Sequence, residues 1–221
     1  MNRKGAGIFI RAAAIVEEWR RSVPRADAAL VPPICWLVVG DGDLRTFLER
    51  AATPDVHFSG FVPHRAMREL LLAAPGVDLL VFPSLFPEAL GMSAVEALGL
   101  GIPVVTSGIG GATEFVEHMR SGVVVPRTLP PCPAALRADA DAGPYAGADA
   151  DAGASATTDR LLAFPLRARR FACAIVGLAL NATMRAEFGA RGQALVATHL
   201  SVAQQTRRWR QLYDDEDAGV V

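Results

Sequence analysis

The stretch Phe82-Pro-Ser-Leu-Phe-Pro-Glu-Ala-Leu-Gly-Met-Ser-Ala-Val-Glu-Ala-Leu-Gly-Leu-Gly-Ile-Pro-Val-Val105 sets a strand, a turn, a helix and a second strand in one line. The apolar run Asp78-Leu-Leu-Val-Phe82 enters it as a buried strand that stops at Pro83. A loop carrying Glu88 follows. Gly91 lets the backbone turn closely before a helix that runs from Gly91 to Gly101. Pro103-Val-Val-Thr106 is then the next strand. A strand, a short connection, a helix and a strand again are the unit of a parallel sheet.

The same alternation extends on both sides. Ile8, Ile10, Ala12, Ile15, Val16 and Trp19 fall on one helical face, with Arg11, Glu17, Glu18 and Arg20 mostly elsewhere. Cys35-Trp-Leu-Val-Val39 is a continuous apolar run, the pattern of a strand buried on both faces. A helix from Leu44 to Ala51, the strand Val56-His-Phe58 and a helix opened by Pro63 come next. Beyond the central stretch, Gly111 to His118 reads as a helix and Gly122-Val-Val-Val125 as a last strand. The fold class is therefore α/β, a doubly wound, Rossmann-like parallel sheet between helices. Such sheets bind ligands outside the carboxyl ends of their strands. The loops at that end hold Gly40-Asp-Gly42, Gly60-Phe-Val62, Pro83 to Gly91 and Ser107 to Gly111.

Residues 1–126 thus form the core. Ala138-Asp-Ala-Asp-Ala-Gly143 recurs as Ala148-Asp-Ala-Asp-Ala-Gly153, in surroundings too poor in apolar residues to offset ordering entropy. Residues 127–160 read as a disordered surface insertion. Helical stripes then close the domain over residues 161–213: Phe171, Ile175, Val176, Leu178 and Leu180, then Met184, Phe188, Leu195 and Val196, then Trp209, Leu212 and Tyr213. The acidic end, residues 214–221, frays.

With 51% hydrophobic and 20% charged residues, the chain suits a packed core. A net charge of −1 supplies no global field toward nucleic acid. The apolar run Phe171 to Leu180 is far shorter than the roughly 20 residues needed to span a bilayer, so no membrane span is expected. Cys35, Cys132 and Cys173 are odd in number and show no metal-ligand spacing. They read as reduced thiols of a cytoplasmic chain, one that a partner or further domain could hold at a membrane surface.

The turn at Gly91 has chemistry of its own. The N–H groups of Leu90, Gly91 and Met92 would face the cleft at the positive end of a helix, a ready site for a diphosphate. Glu96 lies one helical turn past Met92 and leans back toward the pocket that Glu88 enters from the loop. A carboxylate accepts two hydrogen bonds in a fork, which suits the vicinal hydroxyls of a sugar or a ribose. Taken alone, two such glutamates are more often a helix cap and a solvated face. Gly40-Asp-Gly42 alone is more often a tight turn, and it lacks the full dinucleotide fingerprint. Glu114 equally suits a helix's first turn. His64 reads as a surface residue at a helix start, His57 as the outward side of its strand, and Trp36 and Phe82 as core.

The stretch resembles the retaining glycosyltransferases of the GT-B architecture, in particular their family four. That family's signature is a pair of glutamates separated by seven residues, here Glu88 and Glu96, in a Pro-Ser…Glu-Ala-Leu-Gly…Glu-Ala context. Val39-Gly-Asp-Gly42, Val56-His-Phe-Ser-Gly-Phe-Val62, Asp78 to Ser84, Gly101-Ile-Pro-Val-Val105 and Gly110-Gly-Ala-Thr-Glu114 match its second domain in order. The resemblance runs from Lys4 to Tyr213, interrupted by the insertion.

The resemblance implies a role for each matching position. Lys4 would pair with donor phosphates, and Val62 would meet the base through its backbone. Glu88 would hold the donor sugar near its reacting centre. Leu90, Gly91 and Met92 would supply amides, and Glu96 would bind the ribose. It also implies a nucleoside diphosphate sugar as donor, UDP- or GDP-linked, and no cofactor or divalent metal. Retention would follow front-face attack, with Glu88 as a positioning and electrostatic group.

The family's first domain, which binds the acceptor, has no counterpart in this sequence. The expectation is a donor-binding half that needs an acceptor domain, supplied by a separate chain or lying outside this sequence. The alternatives are a non-catalytic nucleotide-sugar-binding module and an inactive fragment. An apolar surface left open on the first helix or the closing helices would favour a partner.

Overall fold

The structure, a computed structural model, describes residues 4–73, 76–125, 129–136, 158–207 and 210–211. Its elements follow the chain as α1 (Ala6–Ser22), β1 (Trp36–Val39), α2 (Arg45–Ala51), β2 (Val56–Gly60), α3 (His64–Leu72) and β3 (Leu80–Phe82). Then come α4 (Met92–Gly99), β4 (Val104–Thr106), α5 (Ala112–Phe115) and β5 (Gly122–Val124). Two long helices, α6 (Thr158–Ala179) and α7 (Ala182–Leu195), follow, and a π-helical turn, Val196–Leu200, continues from α7.

Every strand pair is parallel. β1 pairs with β2, Trp36 opposite Val56, and β3, β4 and β5 form a sheet with β4 in the middle. Side chains on successive strand residues leave on opposite faces. On one face Val105 and Val123 join Trp36, Val56 and the buried side of α1. On the other, Val104 and Val124 join Ala94, Ala97 and Leu98 of α4. Both faces are covered, and the fold class is the doubly wound α/β sheet that the sequence indicates.

The first face is closed by α1 and α6, which pack along each other. Ile8, Ala12, Val16, Phe171 and Leu178 are almost wholly buried there. At about 25 cal/mol per Å2 of apolar area, each large side chain of this kind contributes roughly 1.5–3 kcal/mol. Helix α7 closes the second face. Asn181 caps it by accepting from the Met184 N–H (2.9 Å), and Gly192 meets Leu98 of α4.

Several sequence expectations change. Leu37 is 36% exposed, so β1 is not buried on both faces. Glu17 is only 5% exposed, on the core side of α1. Its carboxylate accepts from the Trp36 indole N–H (2.9 Å) and from Arg20, so a charge that the helical pattern puts outside is buried with partners. Leu180 lies beyond the end of α6 and is exposed.

Cys132 and Cys173 form a disulfide across 41 residues, and only Cys35 is a free thiol. The reading of three reduced thiols fails because chain spacing carries no record of which distant residues the fold brings together. Inside the span read as an insertion, Leu129 and Leu136 are buried in the main core, and α6 already begins at Thr158. The Ala-Asp repeat, the last stripe of Trp209, Leu212 and Tyr213, and the acidic tail lie outside the described residues.

Candidate functional site

Three segments meet at the carboxyl end of β3. The first is the start of α1. Gly5 sits at φ 72°, and a side-chain carbon there would fall on the Pro83 carbonyl, so only glycine allows this approach. The contact brings Lys4 beside the loop after β3, and Lys4 Nζ lies 2.9 Å from Glu88 Oε2.

The second is the loop itself. Ser84 is 1% exposed, and its hydroxyl donates to Glu88 Oε1 at 2.9 Å while accepting from the Phe86 N–H at 3.3 Å. Ser107, after β4, donates through its hydroxyl to the Ser84 carbonyl. Both carboxylate oxygens of Glu88 are therefore engaged, one by a hydroxyl and one by a cation. The third is the glycine pair after β4. The Gly111 N–H donates to the Glu88 carbonyl at 2.8 Å, pinning the loop from behind.

Helix α4 starts directly after this loop. Gly91 is its N-cap in the left-handed region, φ 66°, and no side chain caps it. Ala94 is the first residue to bond back, to the Gly91 carbonyl (2.9 Å). The N–H groups of Met92 and Ser93 precede it and have no partner within the helix. Met92 and Ser93 are exposed residues, while Gly91 before them is buried. Glu96, one turn in, has a side chain 31% exposed, and its Oε1 lies 3.8 Å from His64 Nδ1. His64 begins α3, two residues after Val62. The pair therefore joins the loop after β2 to α4.

The loop after β1 is braced separately. Arg45 bonds Glu49 (2.8 Å) and Asp41 (3.2 Å), and these two carboxylates, Glu49 first, hold its guanidinium above the ordinary value. Asp41 also accepts from the Gly42 N–H (2.8 Å). The Gly40-Asp-Gly42 turn is thus held by the Asp41 carboxylate, which Arg45 of α2 anchors.

The structure gathers Lys4 and Glu88 in direct contact and sets Leu90, Gly91, Met92 and Glu96 on one loop and helix start. Val62 is half-buried on the neighbouring loop. Sequence reasoning missed Ser84, Ser107 and the approach of His64 to Glu96. Ser84 stands in the quoted Pro-Ser motif, and its small polar side chain at a strand end was the available signal. Apolar side chains left open at this end include Phe61 (77% exposed), Phe86, Leu90 and Met92. The apolar face of α1, in contrast, is covered.

Residues 1–136, more than half of the chain's 221, match the family model described as glycosyl transferases group 1. The chain belongs to this family. This group 1 glycosyltransferase chain is 34% identical over 128 residues to an uncharacterized glycosyltransferase of Methanocaldococcus jannaschii, covering 56% of this chain and 29% of that protein. It is 36% identical over 118 residues to the 2-deoxystreptamine N-acetyl-D-glucosaminyltransferase of Streptomyces fradiae, covering 49% and 27%. Among solved structures, Anabaena Alr3699/HepE in complex with UDP superposes with a TM-score of 0.63 at 20% identity. That superposition covers 97% of this chain and 46% of the other, and it speaks for the GT-B fold. The matched stretch spans under a third of the length of these curated relatives. No single helix among the described residues is long and apolar enough to cross a membrane.

Proposed function

We propose that this chain is the donor-binding half of a retaining glycosyltransferase, taking a nucleoside diphosphate sugar and working with an acceptor domain. The observation that carries the reading is the convergence of Lys4, Glu88 and the uncapped start of α4 at the carboxyl end of β3. A diphosphate at that helix start meets backbone N–H groups, the positive end of a helix and the Lys4 ammonium. These groups neutralise a leaving diphosphate without a divalent metal. UDP, seen with the Anabaena protein, makes a uridine diphosphate sugar the first probe, with a guanosine diphosphate sugar as the comparison.

Glu88 then holds the donor sugar. Its carboxylate is fixed by Ser84 on one oxygen, and a bound donor draws Lys4 from the other toward phosphate. Glu96 accepts from the ribose hydroxyls beside His64, and Val62 offers its backbone to the base. The apolar side chains of Phe61, Phe86, Leu90 and Met92 border this site and would line the cleft against an acceptor domain, which excludes water and orients the acceptor. The cytoplasmic setting expected from three reduced thiols loses that basis, since Cys132 and Cys173 are bonded and disulfides persist in oxidising surroundings.

The test separates the two glutamates. Glu96→Ala should weaken binding of the nucleoside diphosphate alone. Glu88→Ala should leave that affinity nearly intact and weaken binding of the intact nucleotide sugar. Equal losses from both substitutions with both ligands would undo the assignment.

A further inference from the structure

Helix α4 is firmly seated, but the carboxylate it carries is not. Ala94, Ala97 and Leu98 are 0% exposed and hold the helix on the sheet. Glu96 stands among them in sequence, with a side chain 31% exposed. Among the described residues its carboxylate makes no hydrogen bond, and the one ionisable side chain that reaches it is His64, with Nδ1 3.8 Å from Oε1. Glu88 is the opposite case, with a hydroxyl on one oxygen and an ammonium on the other. The two carboxylates of this site are therefore prepared differently.

A carboxylate on a free stem is costly to use. Ordering a glutamate side chain loses rotamer entropy, and a neighbour that removes rotamers beforehand lowers that cost at binding. His64 is placed to be such a neighbour. Pro63 is the N-cap of α3, at φ −57°, and its carbonyl accepts from the Ala66 N–H (2.8 Å) and the Met67 N–H (3.1 Å). The proline ring fixes its own φ, so the first turn of α3 is held and His64 with it. The imidazole is 86% exposed, which puts it in solvent beside Glu96 and not in the core.

The approach leaves the carboxylate usable. A carboxylate has about four acceptor positions, so an imidazole N–H at one of them leaves room for two hydroxyls. So exposed a pair contributes little to folding, and its effect is to be sought in binding.

We propose that His64 is a positioning residue for the ribose, restraining the Glu96 carboxylate from across the gap between α3 and α4 so that it meets a vicinal diol already oriented. The inference rests on the ribose role proposed above for Glu96. His64 acts through Glu96 and touches neither the base nor the diphosphate.

The test compares UDP with dideoxyuridine diphosphate, which lacks both ribose hydroxyls, by calorimetry on the full chain. GDP and its dideoxy analogue take their place if the site prefers guanine. In the native protein the intact nucleotide should bind more tightly than the analogue. His64→Ala should weaken the intact nucleotide by about three- to fivefold, the upper range for an exposed ion pair, and leave the analogue unchanged. His64→Asn, whose amide N–H can stand in for Nδ1, should recover most of the loss. Equal losses on both nucleotides would overturn the inference and make His64 a contact to base or phosphate. Undiminished affinity in His64→Ala would overturn it too, as would a His64→Asn variant no better than His64→Ala. Glu96→Ala reads the underlying assignment separately. If it leaves the ratio of the two affinities as in the native protein, or if neither nucleotide binds, the ribose role of Glu96 fails and this inference with it.

Discussion

Glu88 Oε2 and Lys4 Nζ are 2.9 Å apart although 84 residues separate them in the chain. The ion pair is lopsided. The Lys4 side chain is 74% exposed, while that of Glu88 is 20% exposed and held by Ser84 on its other oxygen. The carboxylate is held on both oxygens and the ammonium is largely in solvent, an asymmetry that suits the proposed turn of Lys4 toward a donor phosphate. So exposed a pair adds little to folding stability.

Lys4→Ala should therefore leave thermal stability nearly unchanged and weaken nucleoside diphosphate binding by about tenfold. Calorimetry and a melting curve on the same sample check both halves. A large fall in melting temperature with unchanged affinity would make the pair a structural staple.

Ser84→Ala removes the hydroxyl that orients Glu88. Loss of its two hydrogen bonds, to Glu88 and from the Phe86 N–H, should lower unfolding free energy by about 1–3 kcal/mol in urea titration. If Glu88 holds the sugar, binding of the nucleotide sugar should also weaken more than that of the nucleotide. Ser84→Thr, which keeps a hydroxyl, should recover part of that difference.

Much of this site is legible in the sequence, and what is not has a physical reason. Strand ends, the Gly91 turn and the spacing of Glu88 and Glu96 are local features, so composition and periodicity expose them. The closure of Lys4 on Glu88, the bond from Ser107 to Ser84 and the meeting of His64 with Glu96 depend on which loops share one sheet end. Helical pattern likewise misplaces Glu17, because a charged residue with both an indole N–H and an arginine within reach can sit inside. Leu129 and Leu136 lie beside low-complexity sequence that hides their packing.

Glu17 gives a further prediction. Glu17→Ala should cost about 2–3 kcal/mol in chemical unfolding, since it strands the Trp36 N–H and the Arg20 charge. Combining it with Trp36→Phe should cost less than the sum of the single changes. Strict additivity would mean that the two side chains do not communicate.

The Cys132–Cys173 bond closes a loop of 41 residues around the repeat-bearing segment. Reduction, or Cys132→Ser, should lower stability by about 2–4 kcal/mol. Thiol titration of the unfolded, unreduced protein should find one free thiol, Cys35. Three free thiols would show that the bond does not form.

The proposed donor site is tested most directly by calorimetric titration of the full chain with UDP, GDP and ADP, without added metal. We predict saturable binding of UDP or GDP, weakened about tenfold or more in Glu96→Ala. A well-folded chain that binds none of the three nucleotides, or a Glu96→Ala variant with undiminished affinity, would contradict the account.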